Sequence, residues 1–344
     1  MWEVLLTACL LSDPGQCRSE RTPAGGSYEA CRDEADRLSR KAFGPEWRAQ
    51  SWPCVAAGET PAFNVTEIAP GVWVHKGAHA EPDATNGGDV ANLGFVIGSD
   101  AVAAIDAGST PETARALLDA IRARTSLPVR WLILTHMHPD HSLGAQAFKD
   151  AGAKIAAHAK LGPALTVRFD GYVQAMARET GRDESAFRMA EPDMRVADTA
   201  RIDLGGRQLT LAARPVAHTD NDLTVEDSQT GVRFMGDLLF MDHTPAIDGS
   251  IRGWLALLDA LAAEEAPLVV PGHGPVAVAW PDSADRLRDY LEAIARQTRA
   301  AIAEGRPMLA AVAEIGQDQR PGWLLFDWFN QRNATAAFHE LEWE

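Results

Sequence analysis

Cysteine is nearly missing from this 344-residue chain: only Cys9, Cys17, Cys31 and Cys54 occur, and none follows. Their spacing does not match the paired C-x2-C pattern of zinc ligation. An even number confined to one short module suggests instead two disulfides stapling residues 1–58. Three pairings stay open, of which Cys9–Cys17 with Cys31–Cys54 is the simplest. Disulfides in turn imply an extracytoplasmic address. Long apolar runs are missing too, and none approaches the roughly 20 residues of a membrane span. The short run VLLTACLL at 4–11 follows Glu3 rather than a basic residue, so it reads as part of the folded chain. Positive charge is scarce: 32 Lys and Arg face 48 Asp and Glu, a formal net charge of −16. Phosphate backbones repel such a surface, which argues against general nucleic-acid binding.

What is present is globular. Apolar residues make up 46% and charged residues 23%, enough for a sizeable core. Segment 55–68 reads as a linker into a second module at 65–344. There APGVWVHKG, NLGFVIG and AVAAIDAG are short β-rich runs punctuated by glycine. A helix is expected at 111–124 with Pro111 in its first turn. VRWLILTH and AKIAAHA are strands, with a helix between them in LGAQAFKDAG. Residues 162–190 look helical and lid-like, and Gly205-Gly206 turns a hairpin. GVRFMGD and APLVVPGH are further strands, and 282–305 is a long amphipathic helix with a glycine cap. Strands first and alternating helices later indicate a layered α/β architecture.

The strongest chemical signal is the stretch Thr135-His136-Met137-His138-Pro139-Asp140-His141. A period of two sends His136 and His138 to one side of an extended chain, and Pro139 then turns it. Asp140 and His141 follow at the start of a helix, where they point back at the strand end. Imidazole and carboxylate are the ligands that zinc prefers. Three later positions repeat the pattern: His218 after LTLAARPVA, Asp237 after GVRFMG, and His273 in VVPGHGP. Each is expected where a strand opens into a tight loop, the usual place for ligands in α/β sheets.

With these residues in view the chain resembles the metallo-β-lactamase fold superfamily, and all seven family ligand positions are filled. The resemblance implies an αββα sandwich with two zinc ions at one edge. One would be held by His136, His138 and His218, the other by Asp140, His141 and His273, with Asp237 bridging. It also implies a metal-dependent hydrolase, in which a hydroxide between the ions attacks an ester, thioester or lactam carbonyl and Asp140 doubles as a proton shuttle. The flanking text GDLLFMDHTPAIDGSIRGWLALLDAL, VVPGHGP and NATAAFHELEWE is similar to the quinoprotein relay system zinc metallohydrolases. That similarity implies a periplasmic protein with a quinoprotein partner and a small-molecule substrate. Iron stays open as the metal, because single-iron sulfur dioxygenases share the first box. A non-hydrolytic accessory protein that handles metal or quinone at the same site is the other alternative.

Further residues are placed near the site. His243 and Asp248 follow Asp237 through a proline-containing loop and are candidates to orient substrate. His75, His79 and Asp83 border the 76–92 loop, read as a solvated loop or a flap over the site. Asp106 closes AVAAIDAG and is expected to fix loops by hydrogen bonds rather than to bind metal. His158 is expected to be structural. The terminal aromatics Trp323, Phe326, Trp328, Phe329, Phe338 and Trp343 are expected to pack a helix.

Overall fold

A computed structural model describes residues 2–10, 17–26, 28–39, 44–51, 54–56 and 63–344. In the N-terminal module β1 (Trp2–Leu10) pairs antiparallel with β2 (Cys17–Gly25), β3 (Trp47–Ser51) and β4 (Cys54–Ala56). Helix α1 (Tyr28–Ser39) lies on this sheet, and Val4, Leu6, Cys31 and Ala35 form a small core between them. The apolar run at 4–11 thus supplies the central strand, of which Leu11 lies outside the described residues. Register sets Cys9 opposite Cys17 and Cys54 opposite Val4. Of the expected linker at 55–68, residues 57–62 lie outside the described residues, and both its ends differ from a linker by being strand: 55–56 end β4, and 65–68 belong to the strand Val65–Ala69.

The rest is a four-layer sandwich, as expected. The first sheet holds β5 (Val65–Ala69), β6 (Val72–His75), β7 (Leu93–Ile97), β8 (Val102–Ile105), β9 (Val129–Leu134), β10 (Lys154–His158) and β11 (Met194–Val196). It is antiparallel up to β8 and parallel beyond. The second holds β12 (Thr199–Asp203), β13 (Gln208–Ala213), β14 (Leu223–Asp227), β15 (Arg233–Phe240) and β16 (Val269–His273). Only its last pair is parallel.

Period-two alternation sorts the side chains. On β8, Ala103 and Ile105 face the second sheet, where Leu211, Val225 and Phe234 meet them. Val102 and Ala104 face the other way, onto α2 (Pro111–Arg122) and α4 (Ala145–Asp150). The outer face of β15 packs Met235 and Leu239 against α6 (Ile251–Ala262), α7 (Asp285–Ala303) and α9 (Phe326–Leu341). The short α3 (Pro139–Ser142) follows β9, α5 (Leu161–Thr180) lies between β10 and β11, and α8 (Met308–Ala311) follows α7.

Local chemistry sets the helix ends. Thr110 caps α2 by accepting from the Thr113 amide at 3.2 Å, ahead of Pro111. The helix expected over 162–190 stops at Thr180, because Gly181 takes a left-handed φ of 68° and ends it. The Gly205-Gly206 turn is present, both glycines having positive φ, with both amides donating to Asp203 Oδ1 at 2.9 Å. Of the terminal aromatics Trp323, Phe326 and Phe338 are core, whereas Trp328 and Trp343 are exposed. His158 is structural as expected; its Nδ1 accepts from the Lys160 amide.

Candidate metal centre

Strand β9 stops at Leu134, and the chain passes at once into His136 and His138, then into α3 with Asp140 and His141. The second sheet supplies the remaining groups, though not quite where the spacing suggests. His218 lies five residues beyond the end of β13, in the connection to β14 rather than at a strand end. Asp237 lies within β15, which runs on to Phe240. It turns inward because the register with β16 breaks on both sides of Gly236, whose φ is 53°. His273 ends β16 as expected.

All seven side chains converge. Ligand atoms of His136, His138, His218 and Asp237 lie within 4.8 Å of one another, and so do those of Asp140, His141 and His273. Asp237 joins the groups: its oxygens are 3.1 Å from His141 Nε2, 3.4 Å from His218 Nε2, and 3.6 Å from both His136 Nε2 and His273 Nε2. Asp140 Oδ2 is 3.2 Å from His273 Nε2.

An outer shell fixes which nitrogen of each imidazole faces inward. A carbonyl can only accept, so His218 Nδ1 donates to Ala246 O (2.7 Å) and His273 Nδ1 to Val90 O (3.0 Å). His141 Nδ1 donates to Asp106 Oδ2 (2.8 Å). Thr135 Oγ1 gives its proton to Asp106 Oδ2 and so accepts from His136 Nδ1 at 3.0 Å. His138 is reversed: Nε2 donates to Asp248 Oδ2 (3.1 Å), and Nδ1 lies 3.0 Å from His218 Nε2. Every inward nitrogen therefore presents a lone pair.

Asp106 has the orienting role expected of it. It is buried, and as a non-glycine residue it holds a left-handed φ of 60°, which costs of order 1 kcal/mol. That backbone turns its carboxylate to take the Thr135 amide and hydroxyl as well as His141. Asp248 Oδ2 is bound to a cage histidine, and the side chain stays 40% exposed. The 76–92 loop reaches the site through Val90 O, and His75 Nε2 anchors it by donating to Asp89 at 2.8 Å. His243 is buried between Phe329 and His273, with ring centroids 5.0 and 4.8 Å away. Sequence reasoning missed the carbonyls of Val90 and Ala246, and also Asp222. That carboxyl accepts from the Thr219 amide (2.9 Å) and hydroxyl (2.6 Å), and shapes the turn after His218. Burial pushes it up to about 8.

The electrostatics show what the cage takes. Burial pushes His218 down to about 3 and His136 well below its usual range. Burial also acts against charge on His141 and His273, but Asp237 and Asp140 outweigh it, raising His141 strongly and His273 to about 9. The same imidazoles overcome burial to hold Asp237 and Asp140 well below the carboxylate range. The interior thus stabilises positive charge at its centre. His136 Nε2, His141 Nε2 and Asp237 Oδ1 are moreover buried, and although the last two lie 3.1 Å apart, none of the three makes a well-aligned hydrogen bond. Such atoms are costly unless a ligand satisfies them, and imidazole nitrogen with carboxylate oxygen suits a divalent transition metal. The residues fit a metal pair.

Comparison with known proteins agrees. The sequence model of the metallo-beta-lactamase superfamily matches residues 86–273, more than half of the chain. A linear primary-alkylsulfatase of Pseudomonas sp. (strain ATCC 19151) is 26% identical over 237 residues, covering 58% of this chain and 43% of its own length. An acyl-coenzyme A thioesterase of Gallus gallus, MBLAC2, is 31% identical over 189 residues, covering 49% of this chain and 62% of its own. Among solved structures, the stereoselective inverting sec-alkylsulfatase Pisa1 from Pseudomonas sp. superposes with a TM-score of 0.63 at 18% identity. The match covers 81% of this chain and 50% of that one. A metallo-beta-lactamase from Pontibacter korlensis gives 0.51 at 23% identity, over 67% of this chain and 98% of that one. At these identities the structures speak for the fold alone.

Proposed function

Because this chain belongs to the metallo-beta-lactamase superfamily, we propose that it is a zinc-dependent hydrolase that cleaves an ester-type bond in a small molecule. His136, His138 and His218 would hold one ion and Asp140, His141 and His273 the other, with Asp237 shared between them. The observation that carries this reading is the set of unsatisfied buried atoms, His136 Nε2, His141 Nε2 and Asp237 Oδ1, inside one cage. When bound, such ions supply Lewis acidity and a hydroxide nucleophile near neutral pH.

The chain's own residues do the rest. The outer shell of Asp106, Thr135, Asp248, Val90 O and Ala246 O keeps the imidazoles oriented, so little reorganisation is needed during reaction. Asp140 has the more exposed of the two cage carboxylates, 17% against 3% for Asp237, and would relay a proton to the leaving group. The relatives named for alkyl sulfates and for acyl-coenzyme A thioesters support an ester-type bond. The test is metal quantification on purified protein followed by turnover of an ester, thioester, lactam and sulfate-ester panel. About two zinc per chain is expected, with turnover lost to a chelator and restored by zinc. Iron with oxygen uptake on a persulfide, or bound zinc with no turnover on any panel, would overturn it.

A periplasmic address and a quinoprotein partner belong to the same proposal. They rest on the N-terminal cysteines and on the resemblance over residues 236–261, 269–275 and 333–344. The Cys9–Cys17 register supports one disulfide, and Cys31, which is not a free thiol, supports a second. Titration of the unfolded, unreduced protein should find almost no thiol, whereas four free thiols would remove the argument for that address.

A further inference from the structure

Helices α5 and α9 both reach the cage, through Tyr172 beside His138 and Phe329 beside His243, and each carries an arginine and an aromatic ring one turn apart. On α5 they are Arg168 and Tyr172, and on α9 Trp328 and Arg332. Arg168 Nη2 is 3.9 Å from Asp248 Oδ2, the oxygen that holds His138, and Tyr172 sits with its ring 6.5 Å from that of His138. Helix α9 is fastened beside the site by Asn333, whose Nδ2 donates to Pro245 O and whose Oδ1 accepts from the Ile247 amide. Arg332 precedes Asn333, and its charge acts on Tyr172 and on Glu81 of the 76–92 loop. No ion pair within 4.0 Å engages Arg332 among the described residues.

Apolar surface adjoins these arginines. Trp328 is 64% exposed one turn before Arg332, and Leu324 is 49% exposed. The backbone of Leu324 is bridged to His243 and Thr244 at the rim of the cage. Val167, Leu309 and Trp343 are exposed as well, so exposure alone does not mark Trp328; what sets it apart is the unpaired guanidinium of Arg332 one turn away on the same helix. A guanidinium beside exposed aromatic and aliphatic surface matches a molecule with an anionic group joined to an apolar chain.

We propose, building on the hydrolase reading, that the substrate is an amphiphilic anion. Arg168 and Arg332 take its anionic group, and Leu324 and Trp328 take its chain. The test has two arms. In the kinetic arm, matched esters differ in charge, carboxylate or sulfonate against neutral amide, and in chain length. Anionic, longer-chain members should be favoured, and Arg332→Gln should cut the anionic-to-neutral ratio of kcat/KM about tenfold or more. Trp328→Ala should flatten the dependence on chain length. Arg178→Gln, on α5 but paired with Glu179, should leave the ratio unchanged. In the binding arm, calorimetry with decanesulfonate, which has no hydrolysable bond, should show binding by the metal-loaded protein that Arg332→Gln weakens by a similar factor. Decanesulfonate binding without turnover on any panel would sink the hydrolase reading and leave this one standing. Equal loss on charged and neutral substrates, or sulfonate binding indifferent to Arg332, would overturn it.

Discussion

Asp237→Asn should leave a folded protein that no longer holds its metal pair. The side chain is buried, and its oxygens lie 3.1–3.6 Å from four imidazole nitrogens drawn from both halves of the cage. An amide has nearly the same shape but loses the charge and turns an N–H toward nitrogens whose outer partners have already made them acceptors. Content should fall from about two ions per chain to one or fewer. Turnover of any substrate found should drop by about three orders of magnitude, the equivalent of about 4 kcal/mol of lost transition-state stabilisation. Elemental analysis beside steady-state kinetics decides the matter. A variant that keeps both ions would show that Asp237 is not the shared ligand.

Gly272→Ala should do nearly the same damage without touching a ligand. A Cβ at 272 would lie 1.9 Å from Asp237 Oδ1, 2.9 Å from the Gly236 carbonyl carbon and 3.0 Å from the Asp237 amide nitrogen. The last two are backbone atoms of β15, held against β16 by pairing, so the strands cannot simply part and the carboxylate must swing away. Metal loss close to that of Asp237→Asn is expected. Gly171→Ala is the matched control: its Cβ meets nothing within 4 Å in the interior of α5, and it should add up to about 1 kcal/mol of stability. Full metal content in Gly272→Ala would mean that the two strands part at little cost.

The ligand set was legible because its chemistry is carried by side-chain type. Four metal-binding groups within six residues, followed by His218, Asp237 and His273 beside turns, have few uses in an apolar core. The layers were legible because Val102, Ala103, Ala104 and Ile105 alternate between two cores. Backbone partners could not be read, since Val90 O and Ala246 O serve His273 and His218 through a carbonyl that every residue has. The place of Asp237 inside β15 was hidden because its inward turn depends on a register break with β16, a segment 30 or more residues away. His138 looks like its neighbours in sequence, yet it alone turns Nδ1 inward, because Asp248, 110 positions later, claims Nε2.

The cage also lies across the seam of the sandwich. His136, His138, Asp140 and His141 descend from the first sheet, whereas His218, Asp237 and His273 descend from the second. Ions held there as proposed would be gripped by both sides and act as rivets, the free energy of their capture returning as resistance to the layers peeling apart. On that reading chemistry and cohesion draw on the same atoms, and a cell short of metal would lose the proposed activity and loosen its scaffold together.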